Sequence, residues 1–259
     1  MVNGKTALIT GASQGIGYEL ARCCAEDGYN LILVARSREK LAVLARELET
    51  RYKIKVTASA KDLSDPNAVQ DLYKAIQERQ VPIDILINNA GFGLHGSFLH
   101  LDLKEQLDMI QVNVVSVTAL THLIAQDMIK QKKGFIMNVS STAAFQPGPY
   151  MAVYYASKSY VLSFSEALHD ELKKHNIVVT ALCPGPTKTG FQKRANTEQI
   201  KMFKTMMDPR TVAKLGYEGM KNKKSLVIPG LKNKTLSFFA KIAPGKLGAK
   251  IVSKIHQNK

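Results

Sequence analysis

Lys5-Thr6-Ala7-Leu8-Ile9-Thr10-Gly11-Ala12-Ser13-Gln14-Gly15-Ile16-Gly17 is a short apolar run that breaks into three glycines and then opens a helical pattern. It reads as a strand over Lys5–Thr10, a tight turn, and a helix over Gln14–Gly28. Glycines let the main chain turn sharply and approach a ligand closely. The helix start then offers free N–H groups and a favourable dipole to an anion. The spacing is G-x3-G-x-G, not the usual G-x-G-x-x-G fingerprint. A glycine-rich turn without a ligand is the plain alternative; its place right after the first strand points to a pyrophosphate.

The pattern repeats outward from this unit. Further strands are expected at Asn30–Ala35, Ile54–Ala60, Ile83–Asn88, Gly134–Ser140, Ile177–Cys183 and Ser225–Ile228. Helices are expected at Ser37–Tyr52, Asp65–Arg79, Lys104–Gln131, Val153–His175 and Asp208–Lys221. Strands alternating with helices imply βαβ units. Near-continuous apolar strands such as Ile83–Asn88 suit a sheet covered on both faces. The expected fold is α/β: a doubly wound, seven-stranded parallel sheet with helices on both faces and its ligand at the strands' C-terminal ends. Three irregular stretches, Phe92–His100, Ala143–Ala152 and Pro184–Met207, each follow a strand and should lie on that side. Residues 1–230 form the main domain, with a substrate cap at 187–207. Residues 231–259 form a basic helical extension.

Apolar residues make up 45% of the 259-residue chain, enough for a packed core. No run of about 18 uninterrupted apolar residues predicts a membrane span, and the first strand leaves no room for a signal peptide. Cys23, Cys24 and Cys183 are odd in number and do not read as a disulfide framework, so a reducing, cytoplasmic compartment is expected. No metal site is assigned. Net charge is +15, but no acid follows Glu218, while ten lysines do. The excess therefore sits at the C-terminus, which argues against a nucleic-acid groove through the body.

Strand two ends in Ala35-Arg36-Ser37-Arg38, where an acid would bond a ribose 2′-hydroxyl. A carboxylate about 4 Å from a 2′-phosphate would cost roughly 4 kcal/mol at an effective dielectric near 20, whereas Arg36 offers a planar fork of donors. Arg38 reads as the start of a solvated helix. Tyr154 and Lys158, four apart on a helix, share a face. An ammonium beside a phenol favours the tyrosinate, which suits proton transfer. Such a pair also arises on ordinary surface helices. Ser140-Ser141 closes strand five, where a hydroxyl can orient a carbonyl or simply satisfy a loop. Asn88-Asn89-Ala90-Gly91 ends strand four. Asn113 lies inside the long helix, where a buried amide usually bonds main chain.

In order and spacing, Thr10–Gly17, Asn88–Gly91, Asn113, Ser141, Tyr154-x-x-x-Lys158 and Pro184-Gly185 resemble the short-chain dehydrogenase/reductase family, in its single-domain branch with a Rossmann fold. The likeness covers roughly residues 4 to 230. It implies hydride exchange between a nicotinamide dinucleotide and a carbonyl–alcohol pair. Tyr154 would be the general acid in reduction and Ser141 would bind the carbonyl oxygen. Lys158 would hold the ribose and lower the Tyr154 pKa, and Asn113 would support a water leading from Lys158. The cofactor would meet Gly11, Ser13, Gln14, Gly15, Ile16, Gly17, Arg36, Ser37, Asp62, Leu63, Asn89, Ala90, Gly91, Tyr154, Lys158, Pro184, Gly185 and Thr187. Arg36 favours NADP(H); Gln14 replaces the basic residue some NADP-dependent members carry, so NAD(H) stays open. The family habit suggests a homodimer or homotetramer through the helices Lys104–Gln131 and Val153–His175.

Phe191, Met202, Phe203, Met206 and Met207 in the cap suggest a bulky apolar or acyl-chain carbonyl substrate, or a core-facing stripe. Lys188, Lys193, Arg194, Lys201 and Lys204 could meet an acidic carrier or be solvated. A 3-oxoacyl thioester reductase and a steroid or xenobiotic carbonyl reductase both fit. A silent dinucleotide sensor would not need Ser141, Tyr154 and Lys158 together. In the tail, Leu247, Ile251 and Ile255 run beside Lys246, Lys250 and Lys254, with Leu236, Phe239 and Ala243 before them. Such helices pack on protein or lie as a peripheral contact on anionic membranes.

Overall fold

The computed structural model describes residues 4–200 and 206–257. Strands β1 (Thr6–Thr10), β2 (Asn30–Ala35), β3 (Val56–Ala60), β4 (Ile85–Asn88), β5 (Gly134–Val139), β6 (Ile177–Leu182) and β7 (Leu226–Val227) form one sheet in the order β3-β2-β1-β4-β5-β6-β7. Every pairing is parallel; Ile9, for example, aligns with Leu33 on one side and Ile87 on the other. The expected seven strands are all present, with ends within two residues of those read from sequence. The order reverses between β1 and β4, which opens a crevice at their C-terminal ends.

Period-two alternation explains the unbroken apolar strands. Leu8, Leu86 and Ile136 point into one buried cluster. Ala7, Ile9, Ile85 and Ile87 point into a second. The helices α1 (Gly15–Glu26), α2 (Arg38–Tyr52) and α8 (Pro209–Lys221) supply the second cluster, through residues such as Leu20, Leu44 and Val212. The first is supplied by α3 (Ala68–Glu78), α4 (Leu103–Ile110), α5 (Ser116–Gln131) and α6 (Ala152–Lys173). Ser37 and Asp208 cap α2 and α8 by accepting from Lys40 N and Thr211 N. The helix expected from Asp65 starts only at Ala68, because the Asp65 carboxylate accepts from Asn67 N at 2.9 Å and holds a turn there.

The single helix expected over Lys104–Gln131 is interrupted. Between α4 and α5, residues Gln111–Val115 form a π-helical turn, a local widening often found at functional sites. By length and composition alone, Leu103–Gln131 could cross a bilayer, with mean hydropathy 1.4. Here Val117, Leu120, Ile124 and Met128 are buried, so this apolar face is used by the core.

The chain then adds α7 (Phe191–Ala195), α9 (Leu231–Ile242) and α10 (Gly245–Gln257). α10 turns Gly248, Val252 and His256 toward the body. His256 is 2% exposed. Its Nε2 lies 3.2 Å from Tyr155 Oη, and its ring centroid 5.3 Å from that of His95. Burial, with the His95 charge, pushes its pKa down to about 4. Between about pH 6.5 and about 4 the unfolded chain takes up a proton that the docked ring refuses. Stability contributed by His256 is therefore present above that window and lost as pH falls through it. The melting temperature should drop across this range, and less so in His256→Gln. Parallel profiles for the two proteins would discount the role.

Candidate active site

The glycine turn leads from β1 into α1. Gly11 and Gly15 have φ of 65° and 61°, a region costly for side chains. A Cβ at Gly17 would lie 2.3 Å from both Gly11 O and Asn89 Nδ2, so no side chain fits. Asn89 braces the turn from β4: its Nδ2 donates to Thr10 O and Gly11 O at 3.0 and 3.1 Å. Thr10 Oγ1 accepts in return from the N–H groups of Asn89 and Ala90. Gln14 at the start of α1 makes no side-chain cap, which leaves the first-turn N–H groups for a ligand.

A cleft of about 360 Å³ runs from this turn across the sheet edge to Tyr154. Its far end holds Arg36, Ser37, Lys40, Lys61, Asp62, Leu63 and Arg194. Arg194 on α7 stacks its guanidinium 3.7 Å from the Phe92 ring centroid. Its pKa is lowered by desolvation first and by the like charge of Arg36 second. Burial pulls the Asp62 carboxyl upward, but hydrogen bonds from Ser64 and the charges of Arg36 and Arg194 hold it below its usual range. Arg36 and Arg194 thus lie in each other's field on this wall, while Lys61 pairs with Asp71 at 2.9 Å. With the turn, this wall fits a nicotinamide dinucleotide.

At the other end, α6 carries Tyr154 and Lys158, both buried. Lys158 Nζ donates to Val139 O at 3.0 Å and lies 5.8 Å from the Tyr154 ring centroid. Ser140 is anchored by donating to Lys158 O at 2.7 Å. Ser141 Oγ accepts from Ala143 N at 3.1 Å, and its hydroxyl lies near enough to the Tyr154 phenol to oppose the upward shift of its pKa. The π turn aims Asn113 inward. Its amide bonds both Phe92 N and Phe92 O, and donates to Ser157 Oγ. A Cβ on Gly91 would stand 3.0 Å from Asn113 Oδ1 and 3.2 Å from Lys158 Nζ, so these three residues converge.

Burial pushes the Tyr154 phenol up to about 12, opposed in part by Ser141. Burial likewise pushes Lys158 down to about 8. In the protein alone, desolvation outweighs any ammonium effect. The phenol is held neutral, the form that donates a proton.

Among the expected cofactor contacts, Gly11, Ser13, Gln14, Gly15, Ile16, Arg36, Ser37, Asp62, Leu63, Asn89, Ala90, Gly91, Tyr154, Lys158 and Pro184 line the cleft. Gly17 sits behind it, packed on Gly11 and Asn89. Gly185 and Thr187 are not brought to its wall. Gly185 faces Asn233, and buried Thr187 donates its hydroxyl to Gly185 O. Asn88 turns into the core, onto Thr121 and Asn138. In the cap, Phe191 closes on Tyr154 with centroids 5.2 Å apart, while Met207 packs against Asn233 and Gly230 instead. Lys201, Met202, Phe203 and Lys204 lie outside the described residues. Sequence reasoning missed Lys40, Lys61 and the cofactor-end placement of Arg194. A cation count near Arg36 hints at Lys40, but nothing local places Lys61 or Arg194 there.

A family model described as short chain dehydrogenase matches residues 5–200. Hydroxysteroid dehydrogenase-like protein 1 of Gallus gallus is 36% identical over 185 residues, 70% of this chain and 55% of its own. A very-long-chain 3-oxoacyl-CoA reductase of Neurospora crassa is 39% identical over 205 residues, 76% and 60% of the two chains. The chain thus spans between half and two thirds of the length of these curated relatives. A solved short-chain dehydrogenase from Sphingobium yanoikuyae in complex with NADPH is 29% identical, with a TM-score of 0.83 over 93% of this chain and 96% of that one.

Proposed function

The chain belongs to the short-chain dehydrogenase family, and from that premise we propose that it interconverts a bulky apolar carbonyl and its secondary alcohol with NADP(H). The carrying observation is the buried pair of Tyr154 and Lys158 on the wall of the same cleft as the glycine turn, Arg36 and Arg194. A nicotinamide bound along this wall supplies or accepts the hydride. The side chains do the rest. Ser141 orients the carbonyl oxygen beside Tyr154, and the neutral Tyr154 phenol gives that oxygen its proton in reduction. Lys158, fixed on Val139 O, offers its remaining donors to the nicotinamide ribose. Asn113 acts as a positioning residue by clamping Phe92 and Ser157. A silent dinucleotide sensor has no need of a buried phenol and lysine on the cleft wall.

Support for a bulky substrate comes from the Phe191 ring over Tyr154 and from the names of the two curated relatives, one an acyl-CoA reductase and one a hydroxysteroid dehydrogenase homologue. NADPH consumption against bulky ketones, 3-oxoacyl thioesters and small polar ketones tests the reading. Turnover confined to the small polar carbonyls would reject it. The cysteines are free and buried, which supports a reducing, cytoplasmic setting.

We place a second subunit on α4, where Leu103, Leu107 and Ile110 form an exposed apolar stripe. Leu107→Lys should shift the molar mass by light scattering toward the monomer. An unchanged mass would move the interface elsewhere.

A further inference from the structure

The geometry points to an anionic lipid surface as the partner of the C-terminal helix pair. α9 is amphipathic in the reverse of the usual sense. Asn233 and Ser237 turn toward the body, Ser237 being 4% exposed, and Asn233 donates to Pro229 O. The apolar side chains turn outward: Leu231, Phe238 and Ile242, spaced to share one side of the helix, are 81%, 63% and 63% exposed. Phe239 extends this patch, edge to face with Phe238. On α10, Gly248, Val252 and His256 face the body, while Leu247 and Ile251 stay half exposed. An outward patch of this kind marks an interaction surface.

Charge selects the occupant. Lys232, Lys234, Lys241, Lys246, Lys250 and Lys254 fringe the patch, and no acid occurs after Glu218. A second copy docking by this same face would set ammonium groups against ammonium groups with no carboxylate from the segment to meet them. A bilayer of anionic lipid answers both features: its acyl boundary takes the phenylalanines, and its headgroups take lysines that snorkel outward. α10 also ties this face to Tyr155, the residue beside Tyr154, through His256.

The test is co-sedimentation of the full chain with vesicles of phosphatidylcholine alone or mixed with phosphatidylglycerol. Pelleting needs no substrate or cofactor, so its failure is separate from failure of the catalytic reading. The protein should bind the mixed vesicles, bind neutral ones far less, and release as salt rises. Triple reversal of Lys234, Lys241 and Lys250 to Glu should weaken partitioning by roughly a hundred-fold or more, at about five-fold per lysine. Phe238→Ser with Phe239→Ser should also weaken it, with circular dichroism and solution turnover unchanged because neither ring touches the cleft. The proposal is overturned if wild type ignores the mixed vesicles at low salt, or if the serine variant pellets equally well. It is also overturned if wild type does not pellet while that variant dissociates an oligomer, which would assign the face to a second copy.

Discussion

Tyr154→Phe is expected to lower kcat for carbonyl reduction by roughly 10²–10⁴-fold while leaving dinucleotide affinity nearly unchanged. The variant removes one oxygen. That oxygen sits in a buried pocket near Ser141, where burial pushes its pKa up to about 12. Without it, no other hydroxyl on α6 reaches the place: Tyr155 Oη is engaged with His256, and Ser157 Oγ donates to Tyr154 O. The ring remains, so the contact with Phe191 and the cleft wall are kept. The effect should therefore fall on kcat, with the substrate KM altered little. Single-turnover reduction beside fluorescence titration of NADPH separates the two quantities. Equal turnover by variant and parent would reject the assignment of Tyr154 as proton donor.

Arg36→Asp should reverse the cofactor preference, lowering kcat/KM with NADPH relative to NADH by on the order of 10³-fold. Two contributions add. A charge-assisted bond of about 1.5–3 kcal/mol is lost. A carboxylate about 4 Å from the 2′-phosphate adds roughly 4 kcal/mol of repulsion at an effective dielectric near 20. Lys40, Lys61 and Arg194 line the same end and offset part of this, which brings the sum down to about 4 kcal/mol, or 10³-fold. The substitution also places a second acid near Asp62, which already lies in the field of Arg36 and Arg194. Steady-state kinetics with both cofactors measures the ratio. An unaltered ratio would remove Arg36 as selector and leave Arg194 as the residue to vary next.

How much of this was legible beforehand depends on how local each signal is. The strand–turn–helix at Thr6–Glu26 needs only its own residues: apolar alternation, then glycines where φ is positive or a Cβ finds no space. The Tyr154–Lys158 face is likewise a consequence of helical spacing. The π turn at Gln111–Val115 was not legible. It is accompanied by Asn113 bonding Phe92, 21 residues away along the chain. The depth at which Tyr154 is buried was not legible for a similar reason. Spacing says that an ammonium is near, but only the packed structure says that the phenol is so deeply desolvated.

The C-terminal tail shows the same division. Its periodicity announced amphipathic helices, and its composition announced their charge. Which face would meet the body could not be read, because the body took Ser237 of α9 with Gly248, Val252 and His256 of α10 and left the phenylalanines outside. Local periodicity, glycine placement and charge order were enough to determine a parallel α/β sheet, a dinucleotide turn and a tyrosine–lysine face. Tertiary structure alone decided that Arg194 joins Arg36, that Ser140 donates to the main chain at Lys158, and which way the last helices turn. Those outcomes depend on groups far apart in the chain meeting in space, and on how much water their meeting excludes.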